Sequence, residues 1–599
     1  MKETLYLTKE LAILNYSAGY AHSGDQLLNS STFSNYVHNY LDYLKADNEA
    51  LYFYALNGKT TREATFEILK LFRMLRVFKA EEVDSPYLND KAKLLEFVEE
   101  MYNFWKKHQR FSVMSIGQGN ALQDLTFVGA DSSFTSLILG LYRNIEEQIM
   151  GRKNRVYRQL QAGTNASIAV KNIDNPKLSP KYDALKDIEF IQSVMLRTPM
   201  ILHPKSNKRT GMFTERDTNP ITEFTGTPDE WFCYPCKVGS LLAFIYFHRD
   251  FISSAVSLAN LFELANEDEC RKKPDLICLF GNQDDKEQTT FHYDAEDDVW
   301  IGCVSYHERI EYFGYLKKMT LTLHNVRKMQ KGWLPIHGAF VNITLKSGKR
   351  KGIMLMGDSG AGKSESIEAL KIAGADVIMD IEVVFDDMGT IHLEDGVPYG
   401  QGTEIGAFIR LDDLDPGTPY RDMDRSIFMN PESSNNARVI TPAAPYEIVA
   451  MNHRIDLFAY ANNYDDKLGL HRFDTLEDAK ATCKEGKRMA KGTTQEVGIS
   501  TTYFANPFGP MQQQEVCEPL IDQMFVALRD SGCFVGEIYT HLGLDKENRD
   551  GINIAAKELL DFIEKTKSVK LLFSNWRRQF FLRLYFHKEN GCGRTRLLV

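Results

Sequence analysis

The run Gly357-Asp-Ser-Gly-Ala-Gly-Lys363-Ser364 constrains this chain more than any other feature, because it satisfies the spacing GxxxxGK[ST]. A loop that wraps a phosphate chain needs glycines, a buried strand to enter from and a helix N-terminus to leave by. The flanks supply both. Ile353, Leu355 and Met356 read as a strand, and Ser364 to Ala373 read as a helix closed by Gly374. The expected nucleotide-binding set is therefore Gly357, Asp358, Ser359, Gly360, Ala361, Gly362, Lys363 and Ser364. In this arrangement Lys363 neutralises the β- and γ-phosphates and Ser364 holds the nucleotide's Mg²⁺. Such a loop does not by itself name a reaction.

The chain has 599 residues, enough for about three or four domain-sized units. With 43% hydrophobic residues and a mean hydropathy of -0.33 it has the composition of an ordered protein, not a disordered one. Its 71 basic and 81 acidic residues give a net charge of -10, which argues against a dedicated nucleic-acid binder. The nine cysteines are scattered, as expected of reduced thiols. Cys233 and Cys236 form a lone CxxC, read as buried thiols. The first residues carry Glu3, Lys9 and Glu10 and lack a basic-then-apolar leader pattern. The longest apolar stretch, Leu241 to Phe247, is far shorter than the ~20 residues of a membrane helix. The expectation is a cytoplasmic protein with neither a membrane nor a nucleic-acid partner.

Along the chain the texture changes near residue 163. From Phe33 to Leu160 the pattern is helical: Phe66, Leu69, Phe72, Leu75 and Phe78 recur every three residues, and Leu94, Val98, Met101 and Trp105 every three or four. The basic segment Gly151 to Gln159 reads as a solvated helix face. Strand-like runs follow at Leu276–Phe280, Trp300–Val304 and Ala339–Leu345, with helices at Pro519–Arg529 and Ile554–Phe562. Alternating strands and helices imply an α/β body. The last residues, from Lys565 to Val599, form a basic aromatic tail that reads as a terminal element packed on the body.

The surroundings of the loop carry a resemblance. Upstream lies Tyr312-Phe-Gly-Tyr-Leu-Lys317-Lys318, then His337-Gly; downstream lie Val377-Ile-Met-Asp380-Ile-Glu382 and Asp386-Asp387-Met-Gly389. These residues at this spacing resemble the ATP-dependent phosphoenolpyruvate carboxykinases. Asn436-Ala-Arg438-Val439, Lys491-Gly-Thr-Thr, Asn506-Pro-Phe-Gly509 and Thr210-Gly-Met-Phe-Thr-Glu-Arg216 extend the likeness over about Arg209 to Ile563. The loop and its His-Gly also resemble HPr kinase/phosphorylase.

The resemblance implies an α/β, carboxykinase-like two-lobed body with a P-loop nucleotide-binding lobe, plus an added, mainly helical N-terminal domain. The expected units are 1–180 (helical), 181–330 (substrate lobe), 331–564 (P-loop lobe) and 565–599 (tail). It implies ATP, Mg²⁺ and Mn²⁺ as cofactors, with oxaloacetate or phosphoenolpyruvate as the small anionic substrate. Arg216, Tyr312 and Lys317 would bind that substrate. Lys317, Lys318, Lys363, Arg438 and Asp380 would form the catalytic set, with Arg438 also on the nucleotide phosphates. Lys318, His337, Asp380 and Ser364 would hold metal. A lysine can ligate a metal only when its pKa is depressed, and a dication and a neighbouring lysine both push it that way.

The family has two consecutive aspartates after the loop, the second a direct Mn²⁺ ligand. Read at Asp380-Ile381, the pair is broken, leaving Asp380 or Glu382 to substitute. Two other functions follow from that break. One is a kinase acting on a small-molecule or protein hydroxyl, with Asp380 as base. The other is a nucleotide sensor without catalysis.

Overall fold

Helical spacing over residues 31–150 produces the helices Ser31–Asp47, Glu49–Leu56, Thr61–Leu75, Lys91–Lys107 and Gln123–Met150. Their starts are chemically marked. Thr60 and Glu63 form a reciprocal capping box, and the Asp90 carboxylate accepts from the Lys93 N–H. Leu69, Phe72 and Leu75 are buried as their period requires, whereas Phe66 and Phe78 at the same spacing face solvent. In this computed structural model the described residues are 3–115, 123–152, 162–174, 178–358, 360–411, 423–433, 436–489, 498–544 and 550–565. The basic segment beyond residue 152 and the tail from 566 lie outside them.

The helices do not stand apart from the body. Strands Leu11–Asn15, Gln109–Ser115 and Ala166–Lys171 alternate with them and join one large sheet. Its order runs Leu5–Leu7, Leu11–Asn15, Gln109–Ser115, Ala166–Lys171, Glu189–Leu196, Trp231–Val238, Leu241–His248, Leu276–Asn282, Val299–Ser305, Thr289–Asp294 and Thr214–Glu215. Ala166–Lys171 pairs antiparallel with Glu189–Leu196. The ladder is therefore continuous across position 180, where a boundary was expected. Buried Asp131 on the last of these helices ties the layer down: it accepts from Arg197 Nε at 2.9 Å and from Tyr16 at 3.3 Å. Cys233 and Cys236 are buried thiols on Trp231–Val238.

A second sheet carries the glycine-rich loop that begins at Gly357. Arg350–Met356, Leu457–Asn462 and Phe534–Tyr539 lie parallel in its centre, flanked by antiparallel Leu334–Leu345 and the 17-residue strand Ile378–Glu394. The helices Lys363–Ala373 and Asp550–Lys565 pack together over one face, sharing a core with Ile353, Leu355, Leu370 and Leu559.

Between the two sheets runs the helix Gly314–Gln330, buried along almost its whole length. It touches Leu276–Asn282 and Val299–Ser305 on one side, and Leu334–Leu345 and the helix Gln514–Asp530 on the other. A small third sheet joins Met200–Leu202 to Ile427–Met429, Arg438–Pro442 and Gly406–Arg410. Among the described residues no helix is long and apolar enough to cross a membrane.

A chain beginning at residue 181 would lose four strands and bare the edge of Glu189–Leu196. It is expected to aggregate on expression, because an unpaired edge templates association. A soluble, monomeric 181–565 fragment in size-exclusion chromatography would contradict this continuity.

Candidate functional site

The nucleotide loop is built as its sequence demands. Gly360 and Gly362 adopt φ of +82° and +98°, which L side chains rarely reach. A Cβ on Gly362 would also sit 2.8 Å from Thr540. Asn463 Nδ2 donates to the Gly360 carbonyl at 3.1 Å and Thr540 Oγ1 to that of Ala361 at 2.9 Å, fixing the loop to neighbouring strand ends. Lys363 donates to the Asp358 carbonyl at 3.0 Å, and Ser364 donates to Asp386 Oδ1 at 2.9 Å. The Gly357 N–H donates to the His337 carbonyl at 3.0 Å, so the loop begins directly against that strand. Ser359 lies outside the described residues.

One end of the buried helix meets this loop. Lys317 and Lys318 both donate to Asp387 Oδ2 at 2.6 Å, and Lys317 also lies 2.9 Å from Glu404 Oε1. His337 Nδ1 is 2.8 Å from the Ala505 carbonyl, and its Nε2 faces Asp387 Oδ1 at 3.1 Å. Burial pushes the Lys318 ammonium below the usual lysine range, with the Lys317 charge adding to it. Burial also opposes the charge on Lys317, but Asp387 and Glu404 outweigh it and raise that amine. Burial disfavours the Asp387 carboxylate too; the two lysines overcome this and hold its pKa well below the ordinary value. Burial, with the Asp387 charge adding to it, outweighs the same two lysines at Glu404 and pushes it up to about 7.

Two aromatic rings complete the enclosure. The Lys317 ammonium and the Arg438 guanidinium lie 5.4 and 5.0 Å from the Phe408 ring centroid, and Tyr312 packs against the same ring at 6.1 Å. Arg438 Nε is buried without a hydrogen-bond partner. Lys318 and Arg209 share the Phe508 ring, at 4.7 and 5.4 Å. Four cations from three segments thus gather around two apolar ring faces.

Two expectations are corrected. Asp380 is exposed, opposite Thr344 near the start of the strand Ile378–Glu394. At ~3.3 Å per residue it stands about 23 Å along that strand from Asp387, so it belongs to no metal or catalytic set here. A consecutive pair of aspartates, Asp386 and Asp387, stands beside the loop instead, one on Ser364 and the other on the lysines. The strand runs further past the loop than the sequence suggested, so Ile381 lies opposite Ile343, away from the lysines. Arg216 is the second correction. Its guanidinium is spent on Glu223 and Gln288, both at 2.9 Å, while Arg209, in the same segment, reaches the Phe508 ring that Lys318 also contacts. Among the other residues singled out in the sequence, Lys317, Lys318 and His337 meet on Asp387, Lys317, Tyr312 and Arg438 share the Phe408 ring, and Ser364 joins them through Asp386, with Lys363 beside it. Asp387, Asp386, Glu404 and Arg209 were missed as site residues; the doublet Asp386-Asp387 was the signal for the first two.

The donor set suits a divalent cation. His337 Nδ1 faces a backbone carbonyl, which fixes a proton on that nitrogen and turns Nε2 toward Asp387 Oδ1. A proton or a metal ion between Nε2 and the carboxylate satisfies that contact, and the Lys318 amine of lowered pKa stands beside it. Among the described residues no three His, Cys, Asp or Glu come together; the third donor here is Lys318. No protein-family model matches the chain, and no curated protein matches it.

Glu404 supplies a pH test. Its folded-state pKa of about 7 exceeds the ordinary value of about 4.3. Between those values the folded protein keeps a proton that the unfolded chain has lost, so this group's contribution to stability falls as pH rises from about 4.3 to 7. Glu404→Gln removes that dependence, and its Tm should decline less than the wild-type Tm over this window. Parallel Tm–pH curves would contradict the assignment.

Proposed function

We propose that the chain is a phosphoenolpyruvate carboxykinase-like enzyme, converting ATP and oxaloacetate to phosphoenolpyruvate, ADP and CO₂. The observation that carries this reading is the joining of Lys317, Lys318 and His337 by one carboxylate, Asp387, whose neighbour Asp386 holds the loop serine.

The chemistry has two parts. The bond between the β-carbon of oxaloacetate and its carboxylate breaks, CO₂ leaves, and the electron pair forms an enolate. The enolate oxygen then takes the γ-phosphoryl group, and ADP departs. Negative charge therefore builds first on the enolate and then on the phosphoryl oxygens, and fixed cations in a dry site stabilise it most. Lys317, kept charged by its two carboxylates, and Arg438 supply such cations around Phe408. Arg209 and Tyr312 are placed to hold the carboxylate that is not lost. Lys363 serves the phosphates of ATP, and Asp386 orients the Ser364 hydroxyl toward the nucleotide's Mg²⁺. Lys318, His337 and Asp387 would hold Mn²⁺, which when bound would polarise the enolate oxygen and screen the phosphoryl charge. Lys318 fits that role because its depressed pKa makes a neutral amine accessible.

The hydroxyl-kinase reading placed its base at Asp380, and an exposed carboxylate about 23 Å along the strand from Asp387 cannot serve it.

The test is formation of ADP dependent on both oxaloacetate and Mn²⁺, with exchange of labelled CO₂ into oxaloacetate. Lys318→Ala is expected to lower kcat by about 10²–10³, the loss typical of a charge-stabilising donor. Arg209→Ala is expected to act mainly on the KM for oxaloacetate. Absence of CO₂ exchange in a folded, ATP-binding protein would overturn the proposal.

A further inference from the structure

The same buried helix carries a third lysine that this reaction does not use. Lys328 lies ten residues beyond Lys318, about 15 Å along the helix axis, and is 2% exposed. Its Nζ donates to Ser240 Oγ at 2.8 Å and lies 3.3 Å from the Trp333 ring centroid. The carboxylate whose field reaches it, Asp275, is already engaged by Lys331 at 2.9 Å and Arg327 at 3.4 Å. The Trp333 face attracts an ammonium but supplies no counter-charge. Burial pushes this amine down to about 7, with the Lys331 charge adding to it.

One turn earlier on the same face stands His324, fully buried. Asn325 Nδ2 donates to the Phe508 carbonyl, so Asn325 Oδ1 is the acceptor for His324 Nδ1 at 3.0 Å. His324 therefore carries its proton on Nδ1. Its Nε2 is a buried lone pair without a partner, and burial pushes the ring down to about 3. On the other side of Lys328, His392 stacks on Trp333 at 3.8 Å and has a buried, unpartnered Nδ1. A nearly enclosed amine without a counter-ion, an idle imidazole base one turn away and a hydroxyl donor thus meet in one place.

This set matches the needs of one small electrophile. CO₂ is neutral and linear, reacts only with an uncharged amine, and requires a base for the proton that is released. A side chain only 2% exposed disfavours larger carbonyl compounds. We propose that Lys328 is a carbon dioxide acceptor that forms a reversible carbamate at Nζ. The Nζ lone pair attacks the carbon and an N–C bond forms. One C=O π pair moves onto oxygen, and the amine proton passes to His324 Nε2 and then to solvent. No oxidant or reductant takes part. The carbamate oxygens accept from the Ser240 hydroxyl, and His324 is neutral again once the proton has passed on. The inference does not depend on the carboxykinase reading, because dissolved bicarbonate supplies the reactant.

The experiment uses the full chain equilibrated with ¹³C-bicarbonate at neutral pH, trapped with a trialkyloxonium salt and mapped by peptide mass spectrometry. The expected result is ¹³C label on the Lys328 peptide well above that on exposed lysines. His324→Gln should lower that label at least tenfold, and Lys328→Arg should abolish it. An unlabelled Lys328 peptide, or label spread evenly over surface lysines, would overturn the proposal. The wild-type map alone decides this, so a variant that fails to fold does not remove the test.

Discussion

Burying the ammonium groups of Lys317 and Lys318 is unfavourable unless a carboxylate is buried with them, and Asp387 meets that need at 2.6 Å from both. The geometry of the centre follows from this one contact. It pins the first turn of a fully buried helix to the middle of a long strand. It draws His337, on the adjoining strand, into the same cluster. It also sets neighbouring Asp386 on the loop serine, so the glycine-rich loop and the lysine cluster are joined through two consecutive residues. Removing one partner from such a cluster strands an uncompensated charge, at a cost of about 3–5 kcal/mol. The cluster therefore holds the two sheets in register as well as presenting chemistry.

The helix that bears the lysines ties the molecule together in a second sense. One flank packs on strands of the large sheet and the other on the sheet that carries the loop. Its polar side chains are consequently forced into the interior, where their ordinary pKa values cannot persist. Lys317 is stabilised by two acids, Lys318 shares one of them, and Lys328 has none of its own. The three amines grade from firmly charged to readily neutralised, and that gradient follows from the number of carboxylates within reach. Phe408 and Phe508 sharpen it by replacing water around the cations with ring faces.

The legible parts of this structure were the local ones. The phosphate loop, its entering strand and its helix are encoded within some twenty consecutive residues, and glycines at positive φ leave a visible mark. The pairing of Lys317 and Lys318 with His337 was legible only as a resemblance. Strand length was not legible. The doublet Asp386-Asp387 is visible within Ile378–Glu394, but its register against the lysines is not, so the sequence points as readily to Asp380 at the start of the strand. Arg216 and Arg209 pose the same difficulty: they lie seven residues apart, and only the fold shows which guanidinium is taken up by Glu223. The strands Leu11–Asn15 and Gln109–Ser115 are short runs among strong helical periods, and a period of two cannot be established over so few residues.

The most direct test of the account is Mn²⁺ binding, followed by electron paramagnetic resonance in the presence of ATP, in the wild type, Asp387→Asn and Asp380→Asn. Thermal melting in ADP establishes that each protein is folded. The account predicts that Asp387→Asn weakens Mn²⁺ about 10–100-fold, as loss of a metal-holding group does, while Asp380→Asn binds like the wild type. Unchanged Mn²⁺ affinity in a folded Asp387→Asn protein, or a loss confined to Asp380→Asn, would contradict it.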